Sequence, residues 1–180
     1  MASLSKPIVL IGLMGAGKST VGLRLAEALG VEFKDSDHEI EEAAGCTISD
    51  LFAIYGEDIF RDLEKRVLKR LLKERNLVLA TGGGSYIQPA LQEEIKNKAF
   101  TVWLRADVDT LVERVSRRDT RPLLATGDKR KILTRLIKER YPVYQDADLV
   151  VDSNNGSHER IVREIVQKLK QQTGLIINHE

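Results

Sequence analysis

Short apolar runs alternate along the chain with longer amphipathic stretches. Four β-branched runs predict strands at 8–11, 77–80, 100–104 and 148–151. A further strand is predicted around 32–34. Between the strands, apolar residues recur at helical spacing in the stripes Val21-Leu25-Leu29, Phe60-Leu63-Val67-Leu71, Val108-Leu111-Val112-Val115 and Ile161-Ile165-Leu169. Because strands and helices alternate, we predict an α/β fold with three layers, in which helices cover both faces of a parallel sheet.

Capping residues predict where some of the helices begin and end. Gly30 follows the last apolar residue of the first helix and is placed to end it. Thr47 with Asp50, and Ser36 with Glu39, have the spacing of an N-cap residue followed by an acidic third residue. These signals predict helices that begin near residues 36 and 47.

Size and composition limit the possible functions. A chain of 180 residues that is 42% hydrophobic suits one well-buried core, so we expect a single domain over 1–180. Lys and Arg number 28 against 27 Asp and Glu, and a net charge of +1 gives no global field to attract nucleic acid or an anionic membrane. The single Cys46 fits a reducing compartment, and the N-terminal apolar run is too short to span a bilayer. We expect a cytoplasmic monomer with no nucleic-acid or membrane partner.

The strongest motif is a glycine-rich segment between the first strand and the first helix. Gly12-Leu13-Met14-Gly15-Ala16-Gly17-Lys18-Ser19 follows the pattern G-x-x-x-x-G-K-[ST] of a phosphate-binding loop (P-loop). Its glycines let backbone N–H groups point at phosphate oxygens, and the helix N-terminus adds positive potential. Lys18 is predicted to bridge the β- and γ-phosphates, and the Ser19 hydroxyl to bind Mg²⁺. A glycine-rich turn with a solvated lysine is the alternative, but it does not explain the flanking strand and helix. The ATP-binding residues predicted here are Gly15, Ala16, Gly17, Lys18, Ser19 and Thr20.

Several P-loop classes are disfavoured by what the chain lacks. The Asn97-Lys98 pair is followed by Ala99-Phe100 and not by a guanine-reading aspartate, which argues against a GTPase. The strand at 77–80 ends in Thr81, where motors and many ATPases have a magnesium-binding acid. Asp35 and Asp37, which follow the second strand, are the best source of this acid, since alternate residues of an extended segment point the same way. The alternative is that one of them caps a helix, although Ser36 already offers a cap.

Two arginines and a glycine triplet are further candidates. Arg61 lies on a helix and can offer a planar fork to a carboxylate, or it forms an ordinary surface ion pair with Glu64. Arg140 continues the apolar face of its helix and would need a buried partner, unless it snorkels at the helix end. The turn Gly82-Gly83-Gly84 follows a buried strand and allows close approach of a substrate, or it is simply flexible.

Residues 117–131 have no apolar periodicity and contain Pro122 and Gly127, so they predict a long surface loop of the kind that often forms a lid. Basic side chains are concentrated between 114 and 131, a segment that contains only two aspartates. The basic residues are Arg114, Arg117, Arg118, Arg121, Lys129, Arg130 and Lys131. Such runs are usually solvated. An arginine carried by a closing lid can also neutralise charge on a phosphoryl group during transfer.

These motifs, taken in order, resemble those of shikimate kinases over essentially the whole chain. The segments that carry the resemblance are the P-loop, Asp35-Ser36-Asp37 with Ile40-Glu41, Phe60-Arg61 with Glu64, Gly82-Gly83-Gly84, and Arg121-Pro122-Leu123-Leu124. The resemblance implies a P-loop kinase fold like that of the nucleoside monophosphate kinases, with a five-stranded parallel sheet in the order 2-3-1-4-5 and a mobile lid. It also implies ATP-dependent phosphorylation of the 3-hydroxyl of shikimate to shikimate 3-phosphate and ADP, in the chorismate and aromatic amino-acid pathway.

For the acceptor, the resemblance implies that Asp37 binds the hydroxyl and acts as the base. Arg61 and Arg140 then bind the shikimate carboxylate, and Glu64 orients Arg61. Gly83 is the member of the triplet that is most directly in contact with substrate, with Gly82 and Gly84 beside it.

For the nucleotide, the resemblance makes Asp35 a water-mediated ligand of one Mg²⁺ ion, which is the expected cofactor. Arg121 becomes the catalytic lid arginine that also contacts ATP, beside the catalytic Lys18. Arg118 is the matching residue for stacking on adenine, and Arg117 is the alternative. The loop Asn154-Asn155-Gly156 would wall the adenine from the other side, unless it is only a turn before the last helix.

Two competing functions remain at the level of sequence. Another small-molecule kinase, for gluconate or a nucleoside monophosphate, would have a nearly identical P-loop. A silent ATP-binding module would not need the full set of predicted catalytic side chains. His38, His158 and His179 lack metal-ligand spacing and are given no role.

Overall fold

Five strands and seven helices alternate in the computed structural model, which describes residues 4–117, 127–154 and 156–173. The strands are β1 (Ile8–Ile11), β2 (Glu32–Asp35), β3 (Leu77–Ala80), β4 (Phe100–Arg105) and β5 (Leu149–Asp152). The helices are α1 (Lys18–Leu29), α2 (Ser36–Ala44), α3 (Ile48–Leu71), α4 (Pro89–Lys98), α5 (Val108–Ser116), α6 (Lys129–Tyr144) and α7 (His158–Thr173).

The strands form one parallel sheet in the order β2-β3-β1-β4-β5. This is the predicted order, so the predicted fold is confirmed. The central strand β1 pairs with β3 on one side and β4 on the other, with Val9 beside Leu79 and Thr101. β1 and β3 are buried along their whole length, which is why they read in the sequence as uninterrupted apolar runs.

The predicted helical stripes of α1 and α7 face the core. Val21, Leu25 and Leu29 on α1 are each at most 1% exposed, and the equivalent stripe of α7 is buried as well. α1 ends where the sequence predicted, because Gly30 is its C-cap with φ 66° and donates its N–H to the helix end. The P-loop is thus held between a buried strand and a well-packed helix. No helix in the described part of the chain is long and apolar enough to cross a bilayer.

The start of α2 differs from the prediction. Asp35, not Ser36, is the N-cap, and its side chain accepts a hydrogen bond from the N–H of Asp37 at 3.0 Å. Ser36 is already inside the helix and fully buried, and its hydroxyl oxygen accepts the N–H of Gly82 at 3.2 Å. The predicted pair of Ser36 and Glu39 is wrong because β2 leads into α2 with no intervening residue, so the last strand residue serves as the cap.

Helix α3 carries one of the predicted substrate residues on its second segment. Thr47 caps its start as predicted, accepting the N–H of Asp50 at 3.1 Å. Gly56 interrupts the helix with φ 81° and ψ 175°, so two helical segments meet at a kink. The second segment carries Arg61 toward the carboxyl edge of the sheet, where parallel sheets bind their ligands.

Candidate active site

A cleft of about 260 Å³ opens at the carboxyl ends of the strands, beside the P-loop. Its lining includes most of the predicted nucleotide and magnesium residues, namely Gly15, Gly17, Lys18, Ser19, Thr20 and Asp35. Gly12 lies at the base of the loop, where an added Cβ would be 2.8 Å from the carbonyl oxygen of Leu104. The close approach of the loop to β4 therefore requires glycine at this position.

Lys18 lies across the P-loop. Its ammonium donates to the carbonyl oxygens of Gly12 at 2.7 Å and Leu13 at 2.9 Å, and the residue is only 8% exposed. A buried ammonium group needs acceptors, and the loop carbonyls provide them. The lysine is thus held against the P-loop, and not in bulk solvent as the alternative interpretation of this segment required.

Asp35 joins the P-loop to the second strand. The Ser19 hydroxyl donates to Asp35 Oδ2 at 2.5 Å, while Asp35 Oδ1 accepts the N–H of Asp37. Asp35 therefore caps α2, as the alternative interpretation held, and it also faces Ser19, the other residue predicted to bind Mg²⁺. The carboxylate of Asp37 lines the same cleft.

The glycine triplet is where the three predicted acceptor side chains converge. An added Cβ would lie 3.0 Å from Asp37 Oδ1 at Gly82, 3.2 Å from Arg140 Nη1 at Gly83, and 3.2 Å from both Arg61 Nη atoms at Gly84. None of the three glycines has a φ in the left-handed region. The absence of side chains at the triplet thus makes room for a carboxylate and two guanidinium groups of the protein itself. From the sequence, the glycines were predicted only to let a substrate approach the backbone.

Gly84→Ala is expected to weaken acceptor binding without unfolding the protein. The new Cβ would press on the end of the Arg61 side chain, which can move by a few tenths of an ångström, and the backbone conformation suits alanine. We expect the KM for the acceptor to rise roughly tenfold, because small displacements of a binding group are costly. Steady-state kinetics with each substrate varied in turn would check this. An unchanged acceptor KM would contradict the placement of Arg61 in the site.

Glu64 is a buried carboxylate behind Arg61. It is 1% exposed and accepts hydrogen bonds from Arg61 Nη1 at 2.9 Å, Ser85 Oγ at 2.6 Å and Gln88 Nε2 at 2.7 Å. The pair of Arg61 and Glu64 is therefore not an ordinary surface ion pair, which was the alternative in the sequence. Ser85 and Gln88 hold the carboxylate, and the carboxylate in turn holds the guanidinium next to Gly84.

Glu64→Gln is expected to lower the free energy of unfolding by about 1–3 kcal/mol, because one of the three donors to this buried side chain loses its acceptor. The acceptor KM should rise as well, since Arg61 loses its orienting charge. Urea unfolding and steady-state kinetics would measure the two effects.

Glu57→Gln is the matched control for that experiment. Glu57 also contacts Arg61, with Oε1 at 3.5 Å from Nε, but its side chain is 65% exposed. Exposed pairs contribute little, so this variant should remain within about 0.5 kcal/mol of wild type. Equal losses in the two variants would contradict the role given to Glu64.

Arg140 is partly buried on the inward face of α6, as its spacing from Leu133 and Leu136 predicted. In the described part of the chain it forms no ion pair. The charge of Arg140 acts on the phenol of Tyr144, one turn further along the helix, and opposes the rise in the pKa of Tyr144 that burial causes. Among the described residues, the neighbour that this interaction identifies for Arg140 is a neutral phenol and not a carboxylate.

Arg114 was listed with the basic side chains at 114–131 in the sequence. In the structure it belongs to α5 and contacts the P-loop. Its guanidinium donates to the carbonyl oxygens of Gly15 at 3.2 Å and Ala16 at 3.3 Å, and to that of Ser153 after β5. Burial lowers the pKa of Arg114. The sequence offered one signal for this role, since 114 lies beside the inward stripe of α5 formed by Leu111 and Val115.

Arg117 and His158 also line the cleft. Arg117 is exposed and pairs with Glu113 on the same helix, and His158 begins α7. The sequence gave His158 no role because it lacks metal-ligand spacing, and only the fold brings it to the nucleotide side of the cleft.

Part of the predicted nucleotide site lies outside the described residues. This applies to Arg118, Arg121 and Asn155, and to His179 near the C-terminus. At the end of the predicted loop, Asp128 caps α6 and accepts the N–H of Arg130 at 3.0 Å. Lys129, Arg130 and Lys131 therefore form the first turn of a helix.

A P-loop between β1 and α1, an acid at the end of β2 and a sheet ordered 2-3-1-4-5 define a small P-loop kinase. The family model for shikimate kinase matches residues 14–170. The chain belongs to the shikimate kinase family.

Individual relatives agree with the family match. The chain is 53% identical to the shikimate kinase of Rhizobium meliloti (strain 1021) over 159 residues, 88% of this chain and 83% of that one. It is 49% identical to the shikimate kinase of Paramagnetospirillum magneticum (strain ATCC 700264 / AMB-1) over 166 residues, 92% of this chain and 85% of that one. Shikimate kinase from Acinetobacter baumannii, solved in complex with shikimate, superimposes with a TM-score of 0.89 at 41% identity, over 92% of this chain and 93% of that one.

Proposed function

We propose that the protein transfers the γ-phosphate of ATP to the 3-hydroxyl of shikimate, giving shikimate 3-phosphate and ADP, in the chorismate and aromatic amino-acid pathway. The observation that carries the proposal is the convergence of Asp37, Arg61 and Arg140 on the glycine triplet beside the P-loop. A single carboxylate with two guanidinium groups suits an acceptor that has both a hydroxyl and a carboxylate. Shikimate has both groups, and gluconate, which also has them, is the acceptor to test against it.

For the nucleotide, the backbone N–H groups of the P-loop and the N-terminus of α1 bind phosphate oxygens. Lys18 exchanges the carbonyl oxygens of Gly12 and Leu13 for oxygens of the β- and γ-phosphates. This exchange keeps the ammonium paired in both states. Its charge then offsets the negative charge that develops during transfer.

Mg²⁺ is the proposed cofactor, and the residues present fit it. Ser19 and Asp35 supply a hydroxyl and a carboxylate 2.5 Å apart at the cleft, which are the oxygen donors that Mg²⁺ prefers. The described residues contain no group of three or more His, Cys, Asp or Glu side chains that could hold a metal. Mg²⁺ does not require one, because it usually binds one or two carboxylates together with water and substrate phosphates. When bound, it would neutralise charge on the phosphates.

For the acceptor, Asp37 orients the hydroxyl and receives its proton as the phosphoryl group arrives. Its backbone N–H is held by the cap from Asp35, and its Oδ1 lies 3.0 Å from the Cβ position of Gly82. Arg61 and Arg140 bind the carboxylate of shikimate at Gly84 and Gly83. The orientation of the acceptor hydroxyl and its distance from the γ-phosphate contribute more to phosphoryl transfer than the basicity of Asp37 does.

The remaining assignments rest on the sequence. We propose one domain over 1–180 with a lid at about 117–131, in which Arg121 stabilises the transferred phosphoryl group and Arg118 or Arg117 stacks on adenine. We propose that the enzyme is cytoplasmic, because its single cysteine, Cys46, fits a reducing compartment. We also propose that the enzyme acts as a monomer.

An ADP-release assay with shikimate, gluconate and a nucleoside monophosphate in parallel tests the proposal. Turnover that depends on shikimate alone is the expected result. Turnover with gluconate but not shikimate would overturn the choice of acceptor. ATP binding without turnover of any acceptor would favour a silent ATP-binding module.

A further inference from the structure

Tyr144 lies behind the glycine triplet and is not used by the mechanism above. It is fully buried at the end of α6, and its hydroxyl donates a hydrogen bond to the carbonyl oxygen of Gly83. Arg140, one turn earlier on the same helix, approaches the same residue, with Nη1 3.2 Å from the Cβ position of Gly83, and its charge opposes the rise in the pKa of the Tyr144 hydroxyl. Three groups thus meet at one point: a backbone carbonyl, a phenol and a guanidinium.

We propose that Tyr144 is a positioning residue, whose hydroxyl is anchored on the Gly83 carbonyl and holds the Arg140 guanidinium toward the carboxylate of the acceptor. The inference rests on the proposed function, which makes Arg140 a carboxylate ligand. It adds that the direction of Arg140 is set by a neutral group within the protein.

The phenol is chemically suited to link these two neighbours. A backbone carbonyl can only accept, and a guanidinium can only donate, so the group between them must do both. A phenol has one donor and two acceptor sites. Burial raises the pKa of Tyr144 to about 12, opposed by the nearby charge of Arg140, so the donated proton is present throughout the neutral range.

A neutral partner also leaves Arg140 able to bind an anion. A buried carboxylate beside Arg140 would offset part of its charge, whereas a neutral phenol leaves the full charge. Within the described residues Arg140 has no such ion pair, whereas Arg61 is paired with Glu64. The two arginines are therefore oriented in different ways, one by a carboxylate and one by a phenol.

The ring of Tyr144 is fixed by aromatic packing. Its centroid lies 5.8 Å from that of Trp103, 6.4 Å from that of Tyr86 and 6.2 Å from that of Tyr141. Because this cluster is part of the core, the position of the hydroxyl is set by close packing. The core thereby fixes the direction of a side chain in the acceptor site.

Tyr144→Phe tests the inference, since it keeps the ring and removes the hydroxyl. We expect the KM for shikimate to rise about tenfold, the net effect of one hydrogen bond to a charged group. The KM for ATP should stay within about twofold of wild type, which also shows that the variant is folded. A larger change for ATP than for shikimate would overturn the inference.

Tyr141→Phe is the matched control. Tyr141 lies on the same helix and packs in the same aromatic cluster, but its hydroxyl donates to the carbonyl oxygen of Ala106, away from the triplet. Loss of this hydroxyl should leave the KM for shikimate within about twofold of wild type. Equal effects of the two variants would mean that general loosening of the core explains both, and would overturn a positioning role.

Combining Tyr144→Phe with Arg140→Ala separates this inference from the proposed function. If Tyr144 acts through Arg140, adding Tyr144→Phe to Arg140→Ala should change the KM for shikimate by less than about twofold. Fully additive effects would overturn the inference and leave Arg140 as a ligand. If Arg140→Ala left the KM for shikimate unchanged, both the proposed carboxylate site and the inference would be wrong.

Discussion

Asp37→Asn is expected to lower kcat by about 10²–10⁴-fold, the usual contribution of a positioned general base. Asparagine keeps the shape of the side chain and can still accept a hydrogen bond, but it cannot take the proton of the acceptor hydroxyl. The backbone N–H of Asp37 is held by the cap of α2 and its Oδ1 lies beside Gly82, so the isosteric substitution should change the chemistry of the side chain and not its place. ADP release at saturating ATP and shikimate measures the effect.

Glu42→Gln on the same helix is the control for this variant. Glu42 is exposed and pairs with His38 at 3.4 Å on the outer face of α2. The kcat of the Glu42→Gln variant should remain within about twofold of wild type. If Asp37→Asn also kept kcat near the wild-type value, Asp37 could not be the proton acceptor, and another group would have to take that role.

Lys18→Met is expected to lower kcat by about 10²–10³-fold, the cost of removing a donor that stabilises transition-state charge. Methionine keeps a flexible side chain of similar length but cannot donate. It would leave the carbonyl oxygens of Gly12 and Leu13 without their present donor, and it would remove the positive charge beside the γ-phosphate. The variant should therefore bind ATP more weakly as well. Single-turnover kinetics at high ATP separates the two effects.

Lys73→Met removes an equivalent charge at an exposed position just after α3. It should change neither kcat nor the KM for ATP by more than about twofold. An equal loss in both lysine variants would point to net charge as the cause. A Lys18→Met enzyme with wild-type turnover would contradict the assignment of Lys18 to the phosphates.

The sheet could be predicted from the sequence because its strands are buried on both faces. β1 and β3 appear as short apolar runs between amphipathic helices, and their bounds agree with the predicted ranges. The P-loop was equally clear, since its spacing and its flanking elements agree. The strand order was implied by the resemblance, and the pairing of Val9 with Leu79 and Thr101 bears this out.

The start of α2 and the place of Arg114 could not be predicted. Which residue caps α2 depends on whether β2 ends before the helix or runs directly into it, and propensity alone does not decide this. Arg114 contacts carbonyl groups about a hundred positions earlier in the chain, at Gly15 and Ala16. Such contacts follow from how α5 packs beside the P-loop, and the one local signal, the place of 114 beside the inward stripe of α5, does not identify the P-loop as the partner.

The acceptor site could be predicted from the sequence only in part. The proposed acceptor ligands were all predicted from the sequence, but the relation among them was not, and neither were the supporting residues Ser85, Gln88 and Tyr144. Each glycine of the triplet faces one functional side chain, and Glu64 and Tyr144 orient the two arginines by different chemistry. Only the fold, which brings β3, α2, α3 and α6 to one edge of the sheet, makes this relation visible.

Identifying the product tests the central claim most directly. The purified protein would be incubated with ATP, Mg²⁺ and shikimate, and the product followed by ³¹P and ¹H NMR. The account predicts a new phosphate monoester coupled to the proton on C3 of shikimate, formed in step with ADP. A phosphate on another hydroxyl, or ADP formed without any phosphorylated shikimate, would contradict it.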